Sequence, residues 1–152
     1  MLKFAYYRLN DVTRQLHFGL FIKEKNVPLT RISLRKGTSS DYRKAIVSGI
    51  YEAMRETFNV PENDIFMLVH QHEEDEFHCD PSYMNIQRSD QLVIIQATVS
   101  NTRNVDQKKA LFAAIVANLT KNPGLRPEDV FINLLEVPKE NWSFGHGMAQ
   151  YA

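Results

Sequence analysis

The sequence predicts an α+β domain in which a β-α-β unit occurs twice, forming a four-stranded sheet with two helices on one face. Three observations carry this. Apolar residues recur at helical spacing over 41–58 and 105–119; short apolar runs flank each of these stretches; and the turn after each helix repeats, as Pro61 with Phe66 and Pro127 with Phe131. The chain has 152 residues, 43% of them apolar, which is one domain's worth and enough for a core without disulfides. Its 18 basic and 18 acidic side chains balance, so composition gives no argument for a nucleic-acid or membrane-surface partner. The single cysteine, Cys79, cannot form an internal disulfide, and a reducing cytoplasmic setting is expected.

Leu29–Leu34 reads as the first strand, with Thr30, Ile32 and Leu34 on one side. Thr38, three residues before Asp41, offers a cap for a helix running to Phe58. Its buried stripe is Tyr42, Ala45/Ile46, Gly49/Ile50, Ala53/Met54 and Phe58. Past the turn Val60–Asp64, the run Ile65–Val69 reads as a buried strand, and a polar loop follows from about Gln71 to Asp90. The second unit repeats the order. Leu92–Val99 is the strand, Asn104 with Gln107 forms a capping box, and Val105–Leu119 is the helix. Pro123-Gly124 stops that helix, Pro127-Glu128-Asp129 turns the chain, and Val130–Val137 is the fourth strand. Three of the strands are apolar nearly throughout, whereas two helices cover only one face of the sheet, so association of subunits through the other face is expected.

Composition changes near residue 27. Residues 1–27 carry five bases against two acids, and residues 28–152 carry thirteen against sixteen. The leading segment holds five aromatic residues without sustained periodicity, and its longest apolar stretch, Phe18 to Ile22, is too short for a signal-peptide core or a membrane span. The boundaries are therefore an extension, 1–27, and a domain, 28–152.

Within that domain, Pro28-Leu29, Val60-Pro61-x-Asn63-Asp64, Gln71-His72, Ser100-x-x-Arg103 and Trp142-Ser143-Phe144-Gly145-x-Gly147 occur in an order that resembles the tautomerase superfamily, most nearly its malonate semialdehyde decarboxylase-like branch. The resemblance implies a tautomerase or MIF-like trimer and an enzyme that needs no cofactor. It acts on a small oxo-carboxylate and uses an amino-terminal proline as acid or base. A chain-terminal proline is a secondary amine that can hold or release a proton near neutrality, where α-amino groups titrate at about 7.7–8.0. An internal proline nitrogen is an amide and does neither. Val27 precedes Pro28, and GUG, a valine codon, is also a bacterial start codon read as methionine. Lys23-Glu24 can be encoded as a ribosome-binding sequence, with Lys25-Asn26 as spacer. Residues 1–27 are therefore expected to be a translated leader and Pro28 the mature terminus. If the segment is instead retained, the rival reading is a non-catalytic trimeric interaction protein.

The resemblance assigns the other roles residue by residue. Arg103 matches the second arginine of an Arg-x-Arg pair and would grip a substrate carboxylate; an arginine capping a strand end is the ordinary alternative. Asn101 replaces the first arginine, keeping a hydrogen-bond donor without the charge. Asp64 would raise the proton affinity of Pro28 or position water, though an aspartate after a proline turn often serves only the local backbone. Trp142, Phe144 and Tyr151 match apolar wall positions, although any one of them taken singly is more often a core or interface aromatic than a ligand contact. Decarboxylase- or hydratase-like chemistry is expected ahead of keto-enol tautomerisation, because Asp64 favours a protonated, acidic Pro28. Finally, His70 and His72, with His78 or Cys79, form a candidate metal set. Their spacing fits no closed zinc pattern, and Glu73 to Glu76 read as a solvated acidic loop, so no metal is expected.

Overall fold

The computed structural model describes residues 28–152; segment 1–27, and with it the expectation of a leader, lies outside the described residues. Strand β1 (Leu29–Arg35) leads into helix α1 (Ser40–Phe58) and strand β2 (Phe66–His72). Strand β3 (Val93–Ser100) leads into helix α2 (Val105–Lys121) and strand β4 (Val130–Val137). The sheet order is β2-β1-β3-β4. β1 is parallel to β2, β3 is parallel to β4, and the two units meet antiparallel through β1 and β3. Pairing of Leu29 with Phe66 and of Val93 with Val130 repeats one sequence offset in both units, which makes the duplication structural as well as textual.

Alternation along the central strands sorts the core. Thr30, Ile32 and Leu34 of β1 and Val93, Ile95, Ala97 and Val99 of β3 face the helices, where they meet Ile46, Ile50, Ala53 and Met54 of α1 and Leu111, Ile115 and Leu119 of α2. The helices approach closely at Gly49: a Cβ there would lie 3.0 Å from the Leu119 side chain, and Asn118 Nδ2 donates to the Gly49 carbonyl at 3.0 Å. Among the described residues, the core cluster spans both units, from Ile32 to Leu125. Among the described residues no helix is long and apolar enough to cross a membrane.

Two readings are corrected. The α1 cap is Ser39, whose hydroxyl accepts from the Tyr42 N–H at 3.1 Å; the Thr38 carbonyl and hydroxyl instead receive the Arg43 guanidinium. β2 is not buried. It starts one residue later than expected, extends to His72 and forms an edge, with Phe66 55% exposed and Leu68 and Val69 also open. The apolar run signals a surface that needs a partner rather than a place inside one chain. The α2 capping box stands as expected, Asn104 Oδ1 accepting from Gln107 N–H at 2.8 Å and Gln107 Oε1 from Asn104 N–H at 3.1 Å.

Candidate active site

One end of the sheet gathers the expected residues. β1 and β2 begin there and β3 and β4 end there, because Leu29 pairs with both Phe66 and Thr98, and Ser100 pairs with Val137. Pro28 is buried just ahead of β1. Asp64 lies two positions ahead of β2, with Ile65 between, and is 6% exposed. The turn that delivers it is held at several points. Asn63 adopts the left-handed conformation, the Asp64 N–H donates to the Pro61 carbonyl at 3.3 Å, and the Tyr51 hydroxyl donates to that same carbonyl at 3.2 Å. The parallel register thus brings Pro28 and Asp64 to neighbouring strand starts.

At this end lies a cleft of about 460 Å³, lined by Leu29, Phe66, Thr98 and Val137 from the sheet and by Trp142 and Phe144 from the segment after β4. Trp142 and Phe144 stack with centroids 5.5 Å apart, and Tyr151 meets the Phe144 ring edge-on at 4.8 Å. The three expected aromatics are therefore one cluster. Gly145 and Gly147 both take positive φ, which turns the tail back, and Gln150 clasps it by accepting from Phe144 N–H and donating to the Gly145 carbonyl, both at 2.9 Å.

Arg103 is placed differently from a carboxylate anchor open to the cleft. Its Nη2 donates to the Phe58 carbonyl at 3.0 Å, at the C-terminal end of α1, and its guanidinium lies 4.9 Å over the Phe58 ring. Nη1 reaches the Thr102 hydroxyl. The cation satisfies a helix-end carbonyl, and burial holds its pKa below the usual arginine value. Asn101 is exposed, with its N–H donating to the Val137 carbonyl at 3.1 Å. Neither residue lines the cleft.

Two polar atoms around the cleft were given no role by the sequence reading. Ser100 is 2% exposed, and its hydroxyl and the Trp142 indole N–H are buried without a hydrogen-bond partner among the described residues; Arg103 Nε shares that condition. A buried donor left unpaired costs about 1–3 kcal/mol, so such atoms at one end of a sheet mark a place built to meet something else. Ser100 stands in the Ser100-x-x-Arg103 motif, but serine is too ordinary a residue for spacing alone to single it out.

The candidate metal residues serve other contacts. His70 Nε2 lies 3.5 Å from Arg31, His72 packs on Phe77, and His78 Nε2 meets the Asp75 carbonyl at 2.8 Å. Cys79 is exposed, and among the described residues no three metal-ligating side chains converge.

Comparison with known proteins agrees with this fold. Two family models, each described as "Tautomerase enzyme", match residues 28–85 and 64–145. The chain is 40% identical over 124 residues to "Probable tautomerase YusQ" of Bacillus subtilis (strain 168), covering 82% of this chain and 98% of that protein. Among solved structures it is similar to a malonate semialdehyde decarboxylase described for its decarboxylase and hydratase activities (28% identity, TM-score 0.75, covering 81% of this chain and 95% of that one). It is also similar to FG41 malonate semialdehyde decarboxylase inhibited by 3-bromopropiolate (33% identity, TM-score 0.74, covering 81% and 93%).

Proposed function

The chain belongs to the tautomerase superfamily, and from that premise we propose that it is a cofactor-independent enzyme acting on a small oxo-carboxylate through Pro28 as an amino-terminal acid. The observation that supports the reading is that one sheet end carries a buried Pro28 ahead of β1 and a buried Asp64 ahead of β2, with a cleft lined by Trp142 and Phe144 of the aromatic cluster at the same end. The start of a family match at Pro28 supports a mature chain that begins there.

With Pro28 terminal, its amine carries a proton near neutrality. Asp64 favours the protonated form, while burial and Arg103 oppose it. On a 3-oxo acid, the ammonium polarises the carbonyl oxygen as the bond to the carboxylate breaks. The electron pair of that bond enters an enolate, and the proton is then delivered to carbon as carbon dioxide leaves. Arg103 anchors the carboxylate, which requires its guanidinium to turn from the Phe58 carbonyl to the substrate. Asn101 donates a hydrogen bond, and the aromatic wall excludes water and strengthens both contacts.

Keto-enol tautomerisation is the second reading, favoured by the missing charge at Asn101. Assay of protein beginning at Pro28 with malonate semialdehyde and with phenylenolpyruvate separates the two. The proposal expects turnover of the first, and Pro28→Ala is expected to lower it roughly 10²–10⁴-fold. Turnover of phenylenolpyruvate alone selects the tautomerase reading, and full activity in both Pro28→Ala and Arg103→Ala overturns the assignment of roles.

The sheet face opposite the helices carries Phe66, Leu68, Phe131 and Leu135, all exposed. These belong to a homotrimer in which sheets face inward and helices outward. A monomer in sedimentation at micromolar concentration contradicts that assembly.

A further inference from the structure

β3 ends in a polar residue where its neighbours give no structural reason for one. Since Val93, Ile95, Ala97 and Val99 face the helices, Thr98 and Ser100 belong to the opposite side, from which Leu29, Phe66 and Thr98 line the cleft. The antiparallel ladder pairs Leu29 with Thr98, so continuing its register puts Val99 opposite Pro28 and Ser100 one position beyond, on the side of the Pro28 nitrogen. On its other side Ser100 pairs with Val137, a wall residue of the cleft. A hydroxyl there is donor and acceptor at once, and within the described residues it uses neither capacity.

We infer that Ser100 is a positioning residue for the Pro28 amine: its Oγ accepts a hydrogen bond from the Pro28 ammonium and donates its own proton to the carbonyl oxygen of the oxo-carboxylate. This rests on the reading of Pro28 as an amino-terminal acid and adds to it the group that aims the ammonium and holds the substrate oxygen beside it. The charged groups around the amine are Asp64 ahead of β2 and Arg103 beyond β3. On β4, Glu136 is engaged by Lys108 at 2.7 Å, and Lys139 follows the strand. Ser100 is the neutral group among them, able to bridge amine and substrate without altering the net charge. With asparagine at position 101, this bridge supplies a donor to the substrate on the strand that carries no cation there.

The test uses protein beginning at Pro28, which keeps the four described strands, both helices and the core cluster, with malonate semialdehyde and phenylenolpyruvate as substrates. Ser100→Ala is compared with Ser100→Thr, which keeps the hydroxyl, in pH–rate profiles and in ¹⁵N NMR titration of proline-labelled protein. Accepting from the ammonium stabilises the protonated amine. Removing the hydroxyl is therefore expected to move the alkaline limb and the Pro28 titration about one unit to lower pH and to cut kcat/KM about tenfold, with Ser100→Thr restoring most of both. An unchanged titration in Ser100→Ala overturns the inference, as does an activity loss that Ser100→Thr shares with no movement of the profile. Full activity in Pro28→Ala overturns the proline reading together with this inference, whereas a dead Pro28→Ala beside an unaffected Ser100→Ala overturns the inference alone.

Discussion

Arg103 ties two duties to one guanidinium. It bonds the last carbonyl of α1 through Phe58, and under the proposed mechanism it also grips a carboxylate. Arg103→Lys keeps a cation but loses the planar fork, so KM is expected to rise by about tenfold or more with a smaller fall in kcat, measured in steady-state kinetics. Arg103→Ala also loses the Phe58 bond and is expected to lower stability by about 1 kcal/mol in urea unfolding. That Pro28 and Asp64 stand ahead of two strands was legible from the turn and strand patterns, whereas their proposed roles, and those of the aromatics, come from the resemblance. The resting direction of Arg103 was not, since it depends on where α1 ends in space. Ser100 was visible only as a letter in a motif, as its burial and unsatisfied hydroxyl exist only in the folded chain.

Each β-α-β element is closed by a buried aspartate just ahead of its second strand, Asp64 in the first unit and Asp129 in the second. Asp129 is fully buried and accepts from Ser89 N–H at 2.6 Å and from Ser89 Oγ at 2.7 Å, which latches the long loop after β2 to the start of β4. The repeated proline turn was readable, but a partner forty residues away was not. Asp129→Ala removes the acceptor for two part-buried donors and is expected to cost about 2–3 kcal/mol in urea unfolding; a loss below half that contradicts the latch. Burial first, and the charge of Asp129 second, raise the Tyr42 phenol above its ordinary value. The folded state then holds that proton more tightly than the unfolded one, so this contribution to stability is present below the ordinary tyrosine range and lost as pH rises through the raised value. Tyr42→Phe is expected to flatten the decline in stability between pH values of about 9 and 11, measured by urea unfolding. The helix caps show how fine the limits of reading are. Asn104 was identifiable from its reciprocal Gln107, whereas Thr38 and Ser39 are adjacent residues that both can cap, Ser the better of the two, and the chain's path into α1 uses Ser39.

At the scale of the whole molecule, periodicity and the repeated turn sufficed for four strands, two helices and their order. They could not say which strands lie at an edge, because an apolar run such as Ile65–Val69 reads the same whether it is covered by its own chain or by another. The open face is where that ambiguity resolves. Leu68→Glu together with Phe131→Glu places charges on it and is expected to shift a sedimenting trimer to monomer while leaving the far-UV circular dichroism unchanged; a trimer that persists contradicts assembly through this face. The chemistry proposed for the site depends on one condition, that the nitrogen of Pro28 is an amine rather than an amide. Intact-mass measurement of protein expressed from its native gene, paired with an activity assay, tests it directly. The account predicts an active chain of residues 28–152, and an active protein carrying residues 1–27 contradicts it.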